Sequence, residues 1–128
     1  MPIVTIELRK AYDPEREAKI IDAVHGAMME GLKIPSWDKN IRLFVHAPHR
    51  FAIPPGKDER YALISIDLFA GRSFEAKKRF YRALVTNLDS LGIPPDHVKV
   101  VLREVSRENW GIGGAPASEI DLGFEINV

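Results

Sequence analysis

The chain has 128 residues, 45% of them hydrophobic and 28% charged, with eighteen basic residues balanced by eighteen acidic ones. That length suits one domain with a real core and not two independent ones. The balanced charge excludes a basic nucleic-acid footprint, the absence of cysteine excludes disulfides and thiol chemistry, and no apolar run approaches the roughly 20 residues of a membrane span.

Ile3 to Leu8 is rich in β-formers and reads as a strand. Pro2 stands directly before it. One reading makes Pro2 the opening of an edge strand, where a residue without N–H is tolerated. The other removes Met1 and leaves Pro2 with a free secondary amine on a rigid ring. An α-amino group titrates at roughly 7.7–8, close enough to neutrality to serve as base or acid. Retention of Met1 would instead make Pro2 a tertiary amide with no titratable nitrogen.

Asp13-Pro14-Glu15 is a helix start, with an N-cap oxygen, proline at the first helical position and an acid favoured by the dipole. Ile20, Ile21, Val24, Ala27, Met28 and Leu32 recur on one helical face, and Pro35 ends the helix. Ile41, Leu43 and Val45 alternate as a second strand. From His46 to Arg60 the chain reads as a loop punctuated by Pro48, Pro54, Pro55 and Gly56. The pattern then begins again. Tyr61 to Phe69 is a strand, Ala70-Gly71-Arg72 a turn and Ser73 an N-cap. Phe80, Tyr81, Leu84, Val85, Leu88 and Leu91 form a second helical face closed by Gly92, and Val98, Val100 and Leu102 a fourth strand. The run Lys77-Lys78-Arg79 lies within that helix as a solvated face.

Ile3-Val4-Thr5-Ile6-Glu7-Leu8 matches Leu63-Ile64-Ser65-Ile66-Asp67-Leu68 by residue type, and Leu32-Lys33-Ile34-Pro35 echoes Leu91-Gly92-Ile93-Pro94. The expected fold is therefore α+β. It is a single domain over 1–128 with β-α-β repeats at about 1–50 and 61–114. Its four-stranded mixed sheet carries two helices on one face. The extension 115–128 follows a Gly-rich turn and ends in a short strand over 123–128. The sheet face away from the helices is expected to be largely apolar, which points to an oligomer.

The topology selects an edge. Parallel strands within one β-α-β unit begin at the same side of the sheet, so Pro2 and Asp38, just before the second strand, become neighbours. Under a pseudo-dyad the second unit runs antiparallel, which brings Arg72 after the third strand and Trp110 after the fourth to that side. Arg72 suits bidentate capture of a substrate carboxylate, though an arginine in a surface turn reads the same way. Asp38 would orient the amine, stabilise its cation or activate a water, or is simply a loop carboxylate. Trp110 would wall off an apolar pocket or pack the core. Lys99 opens the fourth strand at the opposite edge and is expected to face solvent. His46 and His49 lack a third converging ligand for zinc. His25 reads as a packed or surface histidine. Neither a phosphate loop nor a dinucleotide fingerprint is present.

Taken together, Pro2 after the start Met, the turn Gly71-Arg72-Ser73 and the block Ile93 to Gly114, ending Glu108-Asn109-Trp110-Gly111-Ile112-Gly113-Gly114, resemble the tautomerase superfamily. Its members use an N-terminal proline as the catalytic group. The block, with Pro116-Ala117-Ser118 after it, is similar without gaps to the end of 4-oxalocrotonate tautomerase. Asp22 to Met28 and Ile34-Pro35-Ser36-Trp37-Asp38 look like the helix and aspartate loop of the malonate semialdehyde decarboxylase branch. That branch has two arginines flanking a proline, and Ala70-Gly71-Arg72 lacks one of them. Lys99 falls where 4-oxalocrotonate tautomerase has a second substrate arginine. The resemblance implies a homotrimer acting on a small carboxylate without cofactor or metal, while the charge balance and the lack of a membrane-length or signal-type apolar run make cytoplasmic the default and argue against nucleic-acid and membrane partners. Pro2, Asp38 and Arg72 would be catalytic, and Arg72, Trp110 and Ile112 would contact substrate. The favoured reaction is tautomerisation of a 2-oxo acid with Pro2 as base. The alternatives are decarboxylation or hydration of a 3-oxo acid by a cationic Pro2, and a trimeric interaction protein with no activity.

Overall fold

A computed structural model describes residues 1–128. The chain forms β1 (Ile3–Leu8), α1 (Pro14–Leu32), β2 (Ile41–Val45), β3 (Ala62–Phe69), α2 (Phe74–Asp89) and β4 (Val98–Val105), then a two-residue ribbon of β5 (Gly111–Ile112) and β6 (Ala115–Pro116). The sheet order is β2-β1-β3-β4. β1 runs parallel to β2 and β3 parallel to β4, while the central pair β1/β3 is antiparallel with Thr5 opposite Ser65. This is the doubled β-α-β arrangement, with the two units facing each other across the central pair.

Local signals place the helices. The Asp13 carboxylate accepts from the Arg16 N–H at 2.8 Å, and Ser73 Oγ accepts from the Ala76 N–H at 3.1 Å. Each satisfies one of the N–H groups a helix start leaves free. Lys33 closes α1 in the left-handed region, at φ 58°. Val4, Ile6 and Leu8 from β1 and Ile64, Ile66 and Leu68 from β3 point to one face. There they meet Ile20, Val24, Met28 and Leu32 of α1 and Phe80, Leu84 and Leu88 of α2 in a single cluster of 18 buried residues. Each fully buried large apolar side chain contributes roughly 1.5–3 kcal/mol. The helices approach so closely at Gly31 that a Cβ there would lie 2.4 Å from the Phe80 Cα.

The opposite sheet face corrects one expectation. Alternation puts Thr5, Glu7, Arg42, Ser65, Asp67 and Arg103 there beside Phe44 and Val101, so the face is mixed rather than largely apolar. Arg103 Nε donates to Asp67 Oδ1 at 2.8 Å, and His46 Nε2 lies 3.0 Å from Glu7 Oε1. Phe44 and Val101 remain 47% and 43% exposed. The loop from His46 to Arg60 contains one short helical turn, Pro48–Arg50, and is tied down at its end. The Asp58 N–H donates to His97 Nε2 at 3.2 Å, and His97 Nδ1 donates to Asp96 Oδ1 at 2.8 Å.

The C-terminal segment also differs in detail. The short strand pairing there is the ribbon at 111–116, whereas 123–128 joins no sheet. Leu122 and Ile126 instead pack with Phe69 and Ala117 in a second, smaller cluster. Ser73 Oγ donates to the Val128 carbonyl at 3.0 Å, which holds the tail beside the start of α2. A chain anchored by such side-chain contacts has no need of a ladder.

Candidate active site

The second cluster lies at the edge where β1 begins and β3 and β4 end, and Met1, Trp110 and Ile112 pack against it. Phe69 forms its floor, with the Trp110 ring edge-on at 4.8 Å between centroids. Trp110 is held by its indole N–H, which donates to the Val105 carbonyl at 3.2 Å.

Pro2 is buried at the head of β1. The terminal amine, carried here by Met1, stands 3.8 Å from Asp38 Oδ2. Asp38 reaches it because Val4 and Asn40 are joined across the parallel pair, the Val4 N–H donating to the Asn40 carbonyl at 3.0 Å. Asp38 is only 7% exposed, and its Oδ2 has no hydrogen-bond donor. Its backbone is fixed at both polar groups. The Asp38 N–H donates to the Pro35 carbonyl at 3.1 Å, and its own carbonyl lies 3.1 Å from His25 Nε2. A carbonyl only accepts, so His25 carries its proton on Nε2.

Arg72 follows β3 through a sharp turn. Gly71 there has φ 134°, and a Cβ on it would meet Asn127 Oδ1 at 2.7 Å. Arg72 is 5% exposed, yet Nε and both terminal nitrogens are without a partner. Leaving a buried charged donor unpaired is costly, and here the donors of Arg72 stand free at the edge where the chain begins.

The electrostatics of the edge follow from these placements. Burial is the largest effect on the terminal amine, whose pKa falls from 8.0 to about 6; Asp38 opposes the fall, while Arg72 and Arg107 reinforce it. Burial likewise lowers the Arg72 pKa, with Arg107 adding to it and Asp38 and Glu104 opposing it. The amine, Asp38 and Arg72 thus sense one another directly.

Of the residues singled out from sequence, Pro2, Asp38, Arg72, Trp110 and Ile112 gather at this edge. Lys99 stays at the far end of β4, exposed beside Leu63. Two residues stand at this edge in ways the sequence reading did not give, although His25 was read as a packed or surface histidine and is indeed packed. His25 is buried and holds the Asp38 backbone, a contact spanning 13 positions that helical periodicity cannot show. Arg107 was reachable by the argument that selected Trp110, since it too follows β4.

Comparison with known proteins agrees with this geometry. Residues 38–113 match a family model described as tautomerase enzyme. The chain is 41% identical over 59 residues to 2-hydroxymuconate tautomerase of Comamonas testosteroni, covering 43% of this chain and 89% of that protein. A probable tautomerase of Bacillus subtilis, YrdN, aligns over 118 residues at 25% identity, covering 88% of this chain and 92% of its own. The Comamonas protein is thus about as long as one repeat, and the Bacillus protein about as long as both. Among solved structures, malonate semialdehyde decarboxylase superposes with a TM-score of 0.83 at 27% identity, covering 91% of this chain and 94% of that one. Native fused 4-OT shares the fold, with a TM-score of 0.84 at 23% identity over 95% of this chain and 99% of that one. The chain belongs to the tautomerase family.

Proposed function

We propose that the protein moves a proton on a 2-oxo (enol) carboxylic acid, with the amine of Pro2, freed by removal of Met1, as general base. The observation that carries this reading is Arg72, whose buried guanidinium has no partner at the edge where the chain begins. A substrate carboxylate fits its fork bidentately. Neutral Pro2 takes a proton from the enol oxygen, or from carbon beside the carbonyl, and returns it to another carbon, so the proton count closes within the substrate. Arg72 draws electron density toward the carboxylate. Asp38 positions the amine, and Trp110 and Ile112 form the apolar wall. Pro2 is buried while Met1 is 36% exposed. Desolvation, which dominates at the terminal amine carried by Met1, favours the neutral base for an amine set at this edge.

The protein is proposed to work as a homotrimer. Exposed Phe44 and Val101 on the uncovered sheet face support this, as does a fold neighbour described as a fused 4-OT asymmetric trimer.

A second reading keeps the site and reverses the proton. The proximity of Asp38 and the likeness to malonate semialdehyde decarboxylase favour a cationic Pro2 that polarises a 3-oxo acid for decarboxylation or hydration. NMR titration of the Pro2 nitrogen separates the two: a pKa below the ordinary 8.0 supports isomerisation, and one above it the cationic reaction. Mass spectrometry should find Met1 absent. Pro2→Ala and Arg72→Ala should each lower kcat/KM for 2-hydroxymuconate or phenylenolpyruvate by roughly 10²–10⁴. Wild-type rates in both variants reject the enzymatic reading.

A further inference from the structure

A cleft runs along the seam between the two helices. Glu30 of α1 and Arg79, Arg82, Ala83, Thr86 and Asn87 of α2 line it around a cavity of about 310 Å³. Two cross-helix hydrogen bonds fix it toward its ends. Arg79 Nη2 donates to the Gly31 carbonyl at 3.2 Å, and Asn87 Nδ2 donates to the Ala23 carbonyl at 3.1 Å. Ala83, the one apolar lining residue, is 8% exposed. Its small side chain leaves room that a longer one would fill.

The lining is charged yet unpaired. Neither arginine nor Glu30 enters an ion pair, whereas Lys19 and Lys78 on the same two helices pair with Glu15 and Glu75. Arg79 Nε is buried without a hydrogen-bond partner. Arg82 and Thr86, both exposed, make no hydrogen bond through their side chains. Arg79 and Arg82 stand three positions apart, so they are neighbours on one helix face and repel each other. One carboxylate does not offset two guanidinium groups, and the cleft keeps an excess of positive charge. An anion set between the arginines turns their repulsion into attraction. Geometry narrows the class. A carboxylate is planar and offers two oxygens, whereas a phosphoryl group offers at least three in tetrahedral directions, enough to engage two arginines and a hydroxyl together. The Gly31 carbonyl already holds Arg79 in place, which lowers the ordering cost of binding.

We infer that this cleft is a binding site for a phosphoryl group, with Arg79 and Arg82 as its anion-binding residues and Thr86 as a further donor. It lies further along α2 than the turn that carries Arg72, and it stands whether or not the reading of the amino-terminal edge does.

Inorganic phosphate and methyl phosphate are titrated into isotope-labelled protein and followed by NMR, in a phosphate-free buffer whose ionic strength is held constant with sodium chloride. Wild type should show saturable shifts of the backbone amides around Glu30 and from Arg79 to Asn87. Arg82→Met removes no contact within the chain, so its melting temperature should match wild type while binding weakens roughly tenfold or more, about the worth of one charge-assisted hydrogen bond. Arg79→Met should weaken binding as well, and Glu30→Gln should tighten it by removing the opposing charge. Arg72→Met should leave these shifts in place. Tighter binding of methyl phosphate makes a phosphorylated small molecule the ligand, and tighter binding of inorganic phosphate makes it the free ion; both outcomes support the site. Shifts that fail to saturate, or that sodium chloride alone reproduces, overturn the inference. So does an Arg82→Met protein that binds within about threefold of wild type, or a Glu30→Gln protein that binds more weakly. Shifts lost in Arg72→Met but kept in Arg82→Met overturn it too, by placing the phosphate at the amino-terminal edge.

Discussion

Asp38 sets the balance of charge at the amino terminus. Burial pushes the terminal amine down to about 6, and the Asp38 carboxylate pulls it back up. Asp38→Asn removes the upward pull, so the acidic limb of the kcat/KM profile should move to lower pH. A pH–rate series on both proteins measures this, and a limb moving to higher pH would mean the carboxylate acts some other way. The same shift bears on stability. The amine binds its proton less readily folded than unfolded, so its stabilising contribution is complete above about 8 and is lost as pH falls through about 6. Chain order alone led to Asp38, because it sits where a parallel crossover must return. It did not reveal that His25 anchors the Asp38 carbonyl from α1.

Among the elements, α1 and α2 show how much a periodic pattern conveys. Apolar spacing identifies their buried faces, and Asp13 and Ser73 mark their starts, since both signals act within four residues. The point of closest approach is not marked. Gly26 and Gly31 both lie in α1, but only at Gly31 would a Cβ collide with the Phe80 backbone, at 2.4 Å. Gly31→Ala should therefore destabilise the fold by roughly 1–3 kcal/mol, read as a lower melting temperature. Gly26→Ala, with its nearest neighbour the Asn87 side-chain nitrogen at 3.6 Å, should leave stability near wild type or slightly higher, as helix propensity favours alanine. The tail teaches the converse. Residues 123–128 carry strand-like composition, but a strand forms only where a partner edge is available, and here the segment packs by its side chains.

For the whole molecule, the uncovered sheet face is the open surface. Its polar residues are largely paired within the chain, Arg103 with Asp67 and His46 with Glu7, which leaves Phe44 and Val101 as its exposed apolar positions. Sedimentation should give a mass of three chains. Phe44→Lys combined with Val101→Lys should shift the protein toward monomer, because burying two cations in an interface costs more than the apolar contact returns. A wild-type monomer at micromolar concentration would oppose the trimer.

Read residue by residue, the chain determines its doubled β-α-β plan and the edge at which Pro2, Asp38, Arg72 and Trp110 meet. Caps and periodicities are local, and a parallel crossover has one hand. Only the tertiary structure decided the condition of those groups: that Arg72 is buried and unpartnered, that the amine is desolvated, that Arg107 turns inward over Phe69. Desolvation and pairing arise between residues dozens of positions apart, and no local pattern encodes them.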